Sequence, residues 1–164
     1  MRLPSATTNG ETEAPATVLR PGARFPSLAG VRVLVVDDDD DARQLLAFVL
    51  EQCHAEVLTA ASTHEALRRL ENEKPDVVLS DINMPGADGY VLVRTLRERD
   101  GAGRVPVVAL TASARGEDRR RALAAGFDMH VAKPVEPAVL AEIVAELMGA
   151  VRRGRAGELP TARV

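Results

Sequence analysis

Four of the chain's five short apolar runs end on residues able to do chemistry. "VRVLVV" (Val31–Val36) runs into Asp37 and Asp38, and "DVVLS" (Asp76–Ser80) into Asp81. "VPVVAL" (Val105–Leu110) runs into Thr111, and "DMHVA" (Asp128–Ala132) into Lys133–Pro134. The remaining run, "EVLTA" (Glu56–Ala60), offers only Ala60, Ala61 and Ser62 at its end. Gathered at one edge, these residues are three carboxylates, a hydroxyl and an ammonium. Three close carboxylates resist joint ionisation. A hard divalent cation such as Mg²⁺, with Mn²⁺ as the alternative, resolves that by taking carboxylate oxygens and leaving room for a phosphate oxygen. Lys133 adds a compact positive charge. Such a set is built to accept a phosphoryl group, whose equatorial oxygens carry the charge that these groups stabilise. One carboxylate can then act as the nucleophile and form an acyl phosphate.

The elements that must position these residues follow from periodicity. Each run is β-rich and short, as expected for strands buried on both faces. Between them lie helical patterns. Leu45, Leu46, Val49, Leu50 and Cys53 share one face of a first helix. Ala66, Leu67 and Leu70 mark a second, which stops before Pro75, and Val91, Leu92 and Leu96 mark a third. Arg115 to Ala125 reads as a fourth, ended by Gly126. Leu140, Ile143, Val144, Leu147 and Met148 form the apolar face of a fifth. Strict alternation predicts an α/β fold, a parallel sheet with helices on both faces and right-handed crossovers. In such sheets sites form outside the carboxyl ends of the strands. The apolar share is 46% but the aromatic share only 2%, so the core must be Val, Leu, Ile and Ala.

Four motifs, "VLVVDDD", "DINMPGADG", "ALTA" and "AKP", stand in this order at these strand ends. Together they resemble the receiver domain of two-component response regulators, over roughly Val31 to Gly149. The resemblance implies a flavodoxin-like, doubly wound, five-stranded parallel sheet in strand order 2-1-3-4-5. It implies that Asp81 is the phosphoacceptor, that Asp37 and Asp38 are the acidic metal-binding pair, and that the Asn83 backbone carbonyl is a further metal ligand. Thr111 and Lys133 match the hydroxyl and lysine that hold the phosphoryl group, and the Ala112 N–H reaches it as well. Asn83 and Ser113 flank that group and tune its lifetime. The Lys133–Pro134 bond is expected to be cis. His130 falls where many receivers carry a Tyr or Phe that moves inward on phosphorylation. It is read either as a partly exposed strand histidine or as a switch residue linking Thr111 to the surface, with a ring able to respond to pH.

The implied partners are a histidine kinase or a histidine phosphotransfer protein, with self-association through the fourth helix, fifth strand and fifth helix. The implied chemistry is limited to the domain's own phosphorylation and dephosphorylation. "MRLPSA" at the start resembles the strand that often closes a histidine-kinase ATPase domain, and "GFDMHVAKPV" resembles receivers of hybrid histidine kinases. A hybrid-kinase setting is therefore expected beside the stand-alone one, with no output domain after the last helix. Residues 1–30 are expected to be a disordered linker, 31–149 the receiver, and 150–164 a flexible basic tail.

Other readings fit less well. A haloacid-dehalogenase-type phosphatase needs an Asp-x-Asp pair, which Asp37 and Asp39 supply formally. It also needs Thr or Val where Asp41 stands, a late acidic pair and a cap domain. A degenerate receiver acting only as a protein-binding module would not need the full site. A dinucleotide-binding domain would need G-x-G-x-x-G after the first strand. Asp39, Asp40 and Asp41 suit the N-cap and first turn of a helix, where the dipole is positive. Cys53 is read as a packed thiol, and as the sole cysteine it excludes an intramolecular disulfide. His54 and His64 are not spaced for metal ligation. Arg119–Arg121 is read as a solvated helix face or part of a partner surface. The mild net charge of -3, and a basic tail "VRRGRAGELPTARV" without aromatics or a helix-turn-helix pattern, argue against nucleic-acid binding. With no apolar run long enough to span a bilayer and no signal peptide, a cytoplasmic protein is expected.

Overall fold

The computed structural model describes residues 25–85, 88–99, 104–113 and 115–152. Strands β1 (Arg32–Val36), β2 (Glu56–Ala60), β3 (Val77–Asp81), β4 (Val107–Thr111) and β5 (Met129–Ala132) alternate with five helices. These are α1 (Asp40–Gln52), α2 (Thr63–Glu73), α3 (Gly89–Arg99), α4 (Gly116–Ala125) and α5 (Pro137–Arg152). The sheet is parallel throughout and ordered β2-β1-β3-β4-β5, the expected doubly wound topology.

Register is what assembles the site. Val36 lies opposite both Ala60 and Ser80, Asp81 opposite Leu110, and Thr111 opposite Ala132. The carboxyl ends are therefore level to within a residue, and the side chains that follow them meet along one rim. Side chains alternate across the sheet. Val33, Val35, Leu79, Val108, Leu110, Met129 and Val131 pack with Leu50 of α1 and Leu140, Ile143, Val144 and Leu147 of α5. Leu34, Val36, Val78, Val107 and Ala109 pack on the other face with Ala66, Leu92, Val93, Leu96 and Ala122.

Local chemistry sets the element boundaries. Asp39 caps α1, its Oδ1 accepting from the N–H groups of Asp41 (2.9 Å) and Ala42 (3.1 Å). Ser62 caps α2 in the same way, accepting from Glu65 N. The chain leaves α2 through Lys74 at φ 47° and α4 through Gly126 at φ 119°, both left-handed. β4 begins two residues after its apolar run does, because Pro106 has no N–H and Val107 N donates to the Asp128 carboxylate at 2.8 Å. Asp128 also receives Arg97 and Arg104, so it serves as a corner post and β5 starts one residue later.

Three expectations are corrected. Leu45, assigned to the buried face of the first helix, is half exposed, and so is Val91 of the third. The apolar face of α3 is instead built by Tyr90, Leu92, Val93 and Leu96. Residues 25–30, expected as the end of a linker, lie on the domain: Leu28 is buried, donates its N–H to Cys53 O at 2.7 Å, and packs in the α1–α5 cluster with Phe25 beside it. Residues 1–24 and 153–164, which hold most of the expected linker and tail, lie outside the described residues.

Candidate functional site

The rim of the sheet brings the sequence-nominated residues together. Asp37 is fully buried. Its Oδ1 accepts from Asp39 N at 2.9 Å, and its Oδ2 accepts from Lys133 Nζ at 2.7 Å. Lys133 Nζ stands 3.7 Å from Asp81 Oδ1, so one ammonium bridges two carboxylates from different strands. Asp38 is exposed at the mouth. One carboxylate oxygen from each of Asp37, Asp38 and Asp81 lies within 4.8 Å of the others, and among the described residues this is the acidic cluster able to hold a metal ion. Asp81 Oδ1 also accepts from Asn83 N at 3.3 Å.

The electrostatics follow from this crowding. Burial pushes the Asp81 carboxyl above its usual range, and the charges of Asp37 and Asp38 add to that. Lys133 is the main opposing influence, with the Asn83 N–H acting the same way more weakly. The net rise means that the protein alone does not fully compensate the negative charge at the rim. A hard cation would.

Thr111 is buried beside this group. Its carbonyl accepts from Lys133 N at 2.7 Å, which ties the β5–α5 turn to the end of β4. Its Oγ1 accepts from Ser113 N at 3.1 Å, and the Ser113 hydroxyl donates to the Asp118 carboxylate. Ala112 is exposed next to Thr111. The Lys133–Pro134 peptide bond is cis, as expected. His130 is not a partly exposed strand residue. It is buried, on the α4 side of β5. Of the arginine run, Arg120 and Arg121 are both exposed, and the Arg121 guanidinium sits 4.9 Å from the centre of the Tyr90 ring.

Two residues that matter to the site carried little signal. Arg43, in the first turn of α1, donates to the Asp37 carbonyl at 2.8 Å and pairs with Asp40, which pins the β1–α1 corner under the acidic pair. Gly89 closes the "DINMPGADG" loop, and its N–H donates to Ile82 O at 3.0 Å. A Cβ built there would lie 2.5 Å from the Asp81 carbonyl oxygen and 3.0 Å from Ile82 Cα, both backbone atoms that cannot step aside cheaply. Gly89→Ala is therefore expected to destabilise by about 2 kcal/mol, the ordinary cost of overpacking, and to displace Asp81. Chemical denaturation together with phosphorylation rates checks both effects.

A model of the response regulator receiver domain matches residues 33–145. The chain belongs to the response regulator receiver family. It is therefore a phosphoacceptor domain of two-component signalling, and not a conventional enzyme. Receiver domains interact with histidine kinases or phosphotransfer proteins. The chain is 46% identical over 118 residues to an uncharacterized 14.6 kDa protein of Leptolyngbya boryana, covering 72% of this chain and 90% of that one. It is 43% identical over 122 residues to the transcriptional regulatory protein PrrA of Mycobacterium tuberculosis, covering 74% of this chain but only half the length of that relative. A putative response regulator of Chloroflexus aurantiacus superposes with a TM-score of 0.69 at 34% identity, covering 73% of this chain and 98% of that one. The phosphatase, degenerate-module and dinucleotide-binding readings are not favoured by these relatives.

Proposed function

We propose that this receiver takes its phosphoryl group on Asp81 from a phosphohistidine of a histidine kinase or phosphotransfer protein. The observation that carries the assignment is the placement of Lys133 Nζ, 2.7 Å from Asp37 and 3.7 Å from Asp81, beside a three-carboxylate cluster. An Asp81 carboxylate oxygen attacks phosphorus in line, the phosphorus–nitrogen bond breaks, and its electron pair returns to the donor imidazole. Lys133 and the Thr111 hydroxyl take two phosphoryl oxygens, and the Ala112 N–H adds a third donor. The all-oxygen donor set of Asp37, Asp38, Asp81 and the Asn83 carbonyl fits Mg²⁺ or Mn²⁺. Such an ion would neutralise charge at the rim and hold a phosphoryl oxygen.

Thr111 then shifts toward the phosphoryl group, His130 repacks behind it, and the surface of α4, β5 and α5 changes population. That surface is the one we assign to partner contact, self-association included. Water attack on the acyl phosphate resets the domain, with Asn83 and Ser113 beside the reacting group. No helix among the described residues is long and apolar enough to cross a membrane, and a cytoplasmic setting suits the chemistry. The N-terminal segment behind the hybrid-kinase expectation lies outside the described residues.

Incubation with acetyl phosphate and Mg²⁺ tests the assignment. The expected product is a single aspartyl phosphate, cleaved by hydroxylamine, mapped by peptide mass to Asp81 and lost when EDTA is present. A folded protein that takes no label would instead act only by binding, and turnover of added phosphate esters would restore the phosphatase reading.

A further inference from the structure

His130 has a feature that its burial alone does not explain. It is 6% exposed and lies opposite Ala109 of β4, on the face covered by α4. Its Nε2 is buried with no hydrogen-bond partner among the described residues. A buried polar atom without a partner is unfavourable, and among the described residues nothing offsets that at His130 Nε2. The charged groups that act on the ring belong to α4: the carboxylate of Asp118 and, opposing it, the guanidinium of Arg119. From β4 it is neighboured by the end that carries Thr111, which bears no charge. Lys133, just past the end of β5, is engaged by Asp37. Burial holds the imidazole below its ordinary pKa, and Asp118 pulls the other way.

Asp118 is occupied here. It accepts from the Ser113 hydroxyl, and Ser113 N donates to Thr111 Oγ1. A line of hydrogen bonds thus runs from Thr111 through Ser113 to Asp118, the α4 carboxylate whose charge acts on the buried imidazole. The line rests on the phosphoryl reading given above: movement of Thr111 toward the phosphoryl group carries Ser113 with it and releases Asp118. We propose that His130 takes up a proton from solvent when the phosphoryl group arrives at Asp81, with Asp118 leaving Ser113 to become its partner. Proton and phosphoryl occupancy are then linked, and by reciprocity acid favours the phosphoryl-bound form in the window where His130 titrates.

The test is an NMR titration of the His130 ring, assigned through bonds in the unaltered chain. It is run with Mg²⁺ alone and with Mg²⁺ plus beryllofluoride, a mimic of the phosphoryl group. The expected result is an upward shift of the His130 midpoint on adding beryllofluoride, lost in Asp118→Asn. Coincident midpoints in the two states, with beryllofluoride bound at Asp81, overturn the proton linkage and leave the phosphoacceptor assignment standing. A shift that survives in Asp118→Asn overturns Asp118 as the partner. Failure of beryllofluoride to bind at Asp81 removes both.

Discussion

Asp81→Asn is expected to abolish labelling by acetyl phosphate while making the unmodified domain more stable. The two effects have one cause. The carboxylate is held above its usual pKa by burial and by Asp37 and Asp38, and Lys133 offsets only part of this. A raised carboxyl pKa means that the folded state binds a proton which the unfolded state has already lost. Stability therefore falls as pH rises from the unfolded Asp value of about 3.9 through the higher folded value, and the deficit persists at neutral pH. An amide of the same shape carries no charge to repel and keeps an oxygen for the Asn83 N–H. It is also no nucleophile. Thermal unfolding at pH 7.5 and at pH 3 measures the first effect: the variant should melt higher than the parent at neutral pH, and the gap should close in acid. Mg²⁺ should raise the parent's midpoint more than the variant's, since the ion relieves the repulsion that the substitution removes. Labelling that continues at the parental rate would place the phosphoacceptor elsewhere, and a variant that melts lower at neutral pH would overturn the repulsion at the rim.

The ends of the strands could be read in the chain because two independent signals coincide there. Continuous apolar runs mark strands buried on both faces, and polar residues with special chemistry stop them. Asp37, Asp81, Thr111 and Lys133 needed only the register of a parallel sheet to meet, and alternation of strand and helix dictates that register closely. Details that depend on what packs across the fold were hidden. Leu45 keeps helical phase with Val49, yet it falls at the edge of the face that α1 buries and its side chain is left half exposed. Leu28 lies in a Pro- and Gly-containing stretch without periodicity, and only the floor between α1 and α5 turns it into a core residue. The closeness of Gly89 to the Asp81 carbonyl comes from a loop folding back on its own strand, and its sequence trace was a glycine among others. The burial of His130 rests on α4 covering one face of β5. A four-residue strand cannot announce which of its faces will be covered.

Lys133→Met tests whether one ammonium serves both the fold and the phosphoryl group. The Asp37 side chain is 1% exposed and its Oδ2 accepts from Lys133 at 2.7 Å, so removing the amine leaves a buried charge without its ion partner. Breaking a buried pair from one side costs about 3–5 kcal/mol; the lower end is expected, because Lys133 is 28% exposed and Asp39 N still serves Oδ1. Methionine retains the apolar stem that lines the groove with Leu110 and Pro134, so packing there changes little. Urea denaturation should show the full loss in EDTA and a smaller one in Mg²⁺, since a cation at the three-carboxylate cluster takes over part of the compensation. The rate of labelling by acetyl phosphate should fall about 100- to 1,000-fold, the usual effect of deleting one group that stabilises developing charge. Loss of the main influence lowering the Asp81 pKa also raises that pKa further, so the residual rate should need a higher pH than the parent's. If labelling drops only in proportion to the unfolded fraction, Lys133 belongs to the fold alone, and the ammonium 3.7 Å from Asp81 takes no phosphoryl oxygen.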